Sequence, residues 1–201
     1  MHAATRNKLT LATLILTFAI PALLAGLLYW HGMPLSGKTT NYGQLLEPPM
    51  AISDLAPTDT NLQTLSKKDL LGKWTLLTLS PATCEKACQT SLYNVRQICK
   101  ATGKEQTRLR QVVLTLQDQA GDPQLTTQLN NHYPQTKQWL LERSTFKQLT
   151  GATTELSLNQ QQGALYLIDP LGNIMMRYEP TANPTGIFKD LSKLLRISQI
   201  G

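Results

Sequence analysis

Cysteine, histidine and acidic residues are all scarce in this chain, with 3 Cys, 3 His and 13 Asp+Glu among 201 residues. Three cysteines are too few and too unevenly placed for a disulfide scaffold, so the folded part must stand on a hydrophobic core. No second Cys/His cluster exists, and that argues against a structural zinc site, which wants four ligands. The shortage of acid leaves a formal charge of +6. The basic residues are nonetheless scattered, without a Lys/Arg run and without interleaved aromatics. That pattern reads as solvated faces and excludes a nucleic-acid-binding surface. No internal repeat or low-complexity tract is visible, which excludes a solenoid or a disordered array.

Long hydrophobic runs are also rare, and there is one. From Leu9 to Trp30 the chain carries no charged side chain, and roughly 20 apolar residues suffice to cross a bilayer as a helix. A cleavable signal would have a shorter apolar core followed by small residues, whereas Tyr29, Trp30 and His31 follow here. A lipoprotein signal would need a cysteine just after "LLAG", where Leu27 stands. The run is therefore read as a retained anchor, with Tyr29 and Trp30 at the interfacial position. Arg6, Lys8 and the amino terminus precede it, and Lys38 is the first fixed positive charge after it. The positive-inside rule then keeps residues 1–8 in the cytoplasm and exports the remainder, for a bacterial chain into the periplasm. The expected organisation is a tail over 1–8, a transmembrane anchor over 9–30 in the bacterial inner membrane, a tether over 31–60 and a folded domain over 61–201.

The tether is inferred from its punctuators, Gly32, Pro34, Gly37, Gly43, Pro48, Pro49 and Pro57, with a short strand allowed near "MAISDL". Beyond Asp69 the segments alternate. "KWTLLTLS" (73–80) and "RQVVLTLQD" (110–118) are compact apolar runs of strand length. Between them Cys88, Leu92, Val95 and Cys99 fall at helical spacing, in a helix that Gly103 ends. "PQLTTQLNNHYP" (123–134) reads as a helix, "KQWLLER" (137–143) as a short apolar piece, and "STFKQLTGAT" as a further helical turn or two. "GALYLID" (163–169) and "NIMMRYE" (173–179) flank a "PLG" turn as a hairpin, and a helix over 185–197 closes the chain. Strand–helix–strand gives a parallel pair by a right-handed crossover, to which the hairpin adds antiparallel strands. The expected class is α/β: a mixed central sheet flanked by helices, the thioredoxin-like arrangement, with an N-terminal transmembrane helix.

That order places Cys84 and Cys88, in "SPATCEKACQT", at the carboxyl end of the first strand and the start of a helix, where α/β folds put function. With Thr83 as N-cap, Cys84 falls at the first helical position and Cys88 one turn on. Residues so spaced share a helix face with Cβ atoms about 5–6 Å apart, while a disulfide prefers about 3.8 Å. A bridge therefore requires Cys84 to lie partly outside regular helix. The helix amino terminus and Lys86 favour thiolate, whereas Glu85 opposes it. Two soft thiolates on one face also suit Cu(I). A redox pair, a Cu(I) pair and two buried small hydrophobes are the three readings left open. Cys99, on the stripe with Leu92 and Val95, reads as core.

The segments "GKWTLLTLSPATCEKAC", "RQVVLTLQD" and "GALYLIDPLGN" together resemble the Sco/SenC family of cytochrome c oxidase assembly proteins, over roughly residues 50–200. "TTNYGQLLEPP" and "LYNVRQI" prompt a closer likeness to a membrane-anchored relative that lacks the family's copper histidine. The resemblance implies a membrane-anchored thioredoxin fold that binds copper or handles thiols near the oxidase copper centre. The implied partner is a cytochrome c oxidase subunit or a copper chaperone, the implied cofactor Cu(I). Three departures qualify this. The family has proline after each cysteine, where Glu85 and Gln89 stand. Counting back from Pro170 to the place of the family's copper histidine reaches Gln161. Thioredoxin-type oxidoreductases carry a proline just before the third strand, and "QQQGALY" has none. The three-ligand copper site is thus not carried over. Thiol redox through Cys84 and Cys88 is favoured, with a Cu(I)-binding chaperone or a scaffold without turnover as the alternatives.

Overall fold

The structure is a computed structural model that describes residues 2–30, 40–80, 83–119, 122–151 and 154–198. It divides into two units, residues 1–40 and 41–201. The first contains α1 (His2–Trp30), whose stretch Thr10–Leu28 is long and apolar enough to cross a membrane. Pro21 lies inside this helix.

The second unit is built on one sheet. Along the chain come β1 (Gln44–Ala51), α2 (Lys67–Leu70), β2 (Trp74–Ser80), α3 (Lys86–Ala101), β3 (Leu109–Leu116) and α4 (Pro123–His132). They are followed by β4 (Thr136–Leu141), α5 (Arg143–Thr150), α6 (Glu155–Asn159), β5 (Leu165–Ile168), β6 (Asn173–Tyr178) and α7 (Pro184–Ile197). The six strands run in the order β1-β6-β5-β2-β3-β4. β2 is parallel to β3 and β3 to β4, whereas β5 is antiparallel to β2 and to β6. This is the mixed sheet that the strand and helix periodicities imply, with β2 central and buried at every residue. A strand covered on both faces carries a continuous apolar run in place of alternation, which is why "WTLLTLS" is so legible.

Alternate residues of the strands feed two cores. Leu77, Leu79, Val112, Leu114 and Ile168 pack with Phe146 of α5 on one side. Leu76, Leu165 and Leu167 pack with Val95 and Cys99 of α3 and Leu191 of α7 on the other. "KQWLLER" proves to be β4, an edge strand whose first half is partly exposed and whose Trp139–Leu141 are buried.

The tether expected over 31–60 differs from the structure, and with it the domain start at 61. Residues 44–51 form β1, antiparallel to β6, and the sheet-bearing unit begins at Asn41. Pro48 and Pro49 stop neither pairing nor strand because β1 is an edge strand whose register shifts between Leu45 and Met50. A missing N–H costs least at such a place. Residues 31–39, with His31, lie outside the described residues. The chain is pinned where it enters the sheet. The Asp190 carboxylate of α7 accepts hydrogen bonds from the backbone N–H of Tyr42 (2.9 Å) and of Gly43 (3.0 Å) and from the Tyr178 hydroxyl (3.1 Å). Gly43 is required, since a Cβ there would stand 2.6 Å from the Tyr178 ring. Gln44 pairs with Arg177, Tyr178 with Leu165, and Leu165 with Thr78. The entry thus lies at the sheet end toward which β2 runs.

Candidate thiol site at the end of the central strand

β2 ends at Ser80, and α3 does not begin until Lys86, with Glu85 as its N-cap. The sequence expectation of Thr83 as N-cap is therefore shifted by two residues. Cys84 stands outside the helix and Cys88 within its first turn. The shift supplies the freedom that a bridge at this spacing requires. Cys84 and Cys88 are joined in a disulfide with Cα atoms 5.2 Å apart.

The approach to α3 is fixed by two side-chain amides. Gln89 Nε2 donates to the Cys84 carbonyl at 3.1 Å, and Gln162 Nε2 donates to the Thr83 carbonyl. The turn that carries Gln162 is itself tied to α3. Ser91 Oγ donates to the Gly163 carbonyl at 2.6 Å. At Gly163 (φ +83°) a Cβ would stand 2.7 Å from the Ala87 carbonyl oxygen, so the close approach of turn and helix depends on this glycine. None of these contacts was visible in the sequence. Ser91 and Gly163 are 72 residues apart, and no local spacing signals their pairing.

Both bridged cysteines are covered, Cys84 at 3 % exposure and Cys88 at 0 %. They pack with Leu92 of α3, Val113 of β3, and Leu125 and Leu129 of α4. Among the described residues, α4 contributes Leu125 and Leu129 to this cover. Beneath the bridge, Oγ of buried Ser80 lies 3.5 Å from Sγ of Cys88. Cys99 is the free thiol, fully buried among apolar side chains. Burial pushes it up to about 12, which keeps it protonated and inert.

The donor set does not fit the copper centre of the Sco family. Two sulfurs are in place, but among the described residues no group of three His, Cys, Asp or Glu side chains could hold a metal ion. Gln161, at the expected histidine place, accepts a hydrogen bond from Arg177 Nη2 at 2.7 Å, and Arg177 pairs with Glu179. His132 is exposed at the C-terminal end of α4, just before β4. Since β4 runs parallel to β3 and β3 to β2, His132 lies at the opposite end of the sheet from the cysteines.

The architecture defines a class, a thioredoxin-like domain with a Cys-x-x-x-Cys bridge at the β2–α3 junction, preceded by an apolar helix. The family model for the transmembrane-like, thioredoxin-like C-terminal domain matches residues 74–198, and the chain belongs to that family. Its fold is that of the Sco proteins. Yeast Sco1 with copper bound is 17 % identical, with a TM-score of 0.55 over 81 % of this chain and 96 % of that one. Arabidopsis thaliana ScoI with copper bound is 14 % identical, with a TM-score of 0.53 over 78 % and 99 %. Apo Sco1 from Thermus thermophilus is 15 % identical, with a TM-score of 0.55 over 79 % and 99 %. At these identities the likeness is one of fold. Comparison with curated protein sequences finds no match.

Proposed function

We propose that this chain is a membrane-anchored thiol–disulfide redox protein, with Cys84 and Cys88 as its reactive pair, that assists cytochrome c oxidase assembly. In this reading residues 9–30 anchor it in a bacterial inner membrane and the sheet-bearing unit works in the periplasm. The pair keeps the thiols of an oxidase copper site or of a copper chaperone reduced. The observation that supports this reading best is the bridge itself, set at the carboxyl end of β2 and the first turn of α3. A helix amino terminus stabilises thiolate there, and among the described residues no third His, Cys, Asp or Glu joins the sulfurs in a group that could hold a metal ion. Copper enters through the Sco fold, whose members in yeast and Arabidopsis have been crystallised with copper, and oxidase assembly enters through the sequence resemblance to the Sco/SenC family.

The test uses the full chain in detergent, equilibrated in glutathione buffers and, separately, titrated with Cu(I). The expected outcome is a Cys84–Cys88 pair that interconverts reversibly and holds no Cu(I) against weak chelators. Stoichiometric tight Cu(I) that is lost in Cys84→Ser would establish a copper chaperone instead. Neither behaviour would leave a scaffold without turnover.

A further inference from the structure

Ser80 closes β2 with its side chain fully buried, and its Oγ stands 3.5 Å from Sγ of Cys88. A disulfide sulfur carries no proton, so in the bridged form the hydroxyl is the only donor of the two, and sulfur is a weak acceptor. The position gains meaning when the bridge opens. Cys84 lies outside the helix between exposed Thr83 and Glu85, while Cys88 sits deeper, at 0 % exposure in the first turn of α3. Of the two sulfurs Cys84 is the one an incoming thiolate meets, and Cys88 is the one expelled.

Building on the redox reading above, we propose that the Ser80 hydroxyl is a catalytic hydrogen-bond donor to Cys88 as the leaving group. In the half of the cycle that recharges the pair, the partner is an upstream reductant dithiol, distinct from the thiols that the pair keeps reduced. Its thiolate attacks Sγ of Cys84, a partner–Cys84 disulfide forms, and the Cys84–Cys88 bond breaks. Its electron pair is left on Sγ of Cys88, where Ser80 donates to it beside the amino terminus of α3. The partner's second thiolate then displaces Cys84 as thiolate. The balance is two electrons from the partner dithiol to the pair, with protons exchanged with water. A hydrogen bond to a charged group is worth more than one to a neutral group, so Ser80 contributes to the expelled thiolate far more than to the disulfide. Among the described residues, the side chains clustered with Cys88 on α4 and β3 are apolar. Val113 of β3 and Leu125 and Leu129 of α4 are uncharged. Of the titratable groups on the packed elements, the phenol of Tyr133 is partly buried against the same cluster, Asp122 is at the N-cap of α4, and Glu85 and Lys86 are at the start of α3 itself. Tyr93, Arg96 and Lys100 lie further along α3, Arg110 on β3 and His132 at the far end of α4.

The experiment compares the full chain in detergent with Ser80→Ala, Ser80→Thr and Ser80→Val, using glutathione equilibria between pH 5 and pH 10 as the readout. The Ala and Val variants are expected to form the dithiol about tenfold less readily at high pH, about 30 mV for this two-electron couple. They are expected to converge with the parent at low pH, where both thiols are protonated, and Thr, which keeps the hydroxyl, behaves as the parent. The Thr and Val pair, nearly equal in shape, carries the test should Ala fail to fold. An offset that is the same at every pH, or no offset, would overturn the role of Ser80 while leaving the redox reading intact. Thiolate absorbance in the unsubstituted reduced chain gives a check free of substitutions. Ionisation of Cys88 at or above the ordinary cysteine value of about 8.5 would also sink the proposal. A parent chain with no reversible Cys84–Cys88 pair removes the redox reading itself, and the step assigned to Ser80 with it.

Discussion

Cys88 and Cys99 lie on the same helix, both fully buried, yet one is bridged and the other is a free thiol. Cys88 is in the first turn of α3, bridged to Cys84 and beside the Ser80 hydroxyl. Cys99 lies in the last turns of the same helix among Leu76, Val95, Leu191 and Leu195, a free thiol that burial holds protonated. Burial is common to both, so the reactivity proposed for Cys88 rests on its end of the helix dipole and on the polarity of its nearest neighbour.

The sharpest way to break this contrast is to remove each thiol in turn. Cys88→Ser should abolish the reversible couple entirely, whereas Cys99→Ser should leave it unchanged, as read by maleimide labelling after equilibration in glutathione. A couple that survives in Cys88→Ser would mean that the wrong pair has been assigned.

The cover over the two regions offers a second comparison. Leu125→Ala, which thins the α4 packing on the bridge, should speed reduction by dithiothreitol about tenfold or more. Its stability cost is expected at about 2–5 kcal/mol. Leu191→Ala beside Cys99 should cost a similar amount yet leave that rate far less changed. Equal acceleration in both would mean that the bridge is reached by global unfolding and not by displacement of α4.

Reducing the bridge should lower stability by roughly 2 kcal/mol, since the closed loop is short and its loss frees little chain entropy. Cys99→Ala should cost about 1 kcal/mol in lost packing. Urea midpoints with and without reductant measure both, and a reduced chain as stable as the bridged one would assign the disulfide no part in holding the fold.

The last comparison is in the pH dependence. The Cys99 thiol is raised from 9.0 to about 12 in the folded chain. The unfolded chain therefore loses that proton first, and stability falls as pH rises from about 9 toward 12. Tyr166 and Tyr178 are shifted the same way by burial and add to the fall. Cys99→Ala should flatten the fall partially, and an unchanged slope would show that the tyrosines alone account for it.

Much of the architecture was legible because its signals are local. The buried run of β2, the helical stripe through Cys88, Leu92, Val95 and Cys99, and the hairpin about "PLG" each follow from periodicity within a short window. β1 was expected only as a short strand near "MAISDL" because Pro48 and Pro49 read as breakers, and only pairing with β6 shows that they occupy an edge. β4 was seen as apolar but not as a strand, since its first half is partly exposed and lacks the pattern of β2. The cysteine pair was legible as a candidate site. Its cover by Leu125 and Leu129, the hold of Gln162 on Thr83 and the contact with Ser80 were not.

By itself the sequence determined the order of β2, α3, β3, α4, β5, β6 and α7, the placement of two thiols at a strand–helix junction, and the absence of a histidine near Gln161. Each of these is set by residues close together in the chain. Only the tertiary structure decided that Cys84 stands outside the helix, that the bridge is buried beneath α4, that Gln161 is engaged by Arg177, and that the chain enters the sheet at Asp190. Those outcomes depend on which distant segments the sheet order brings side by side, and packing across the sheet is set by the whole core and not by any one stretch of it.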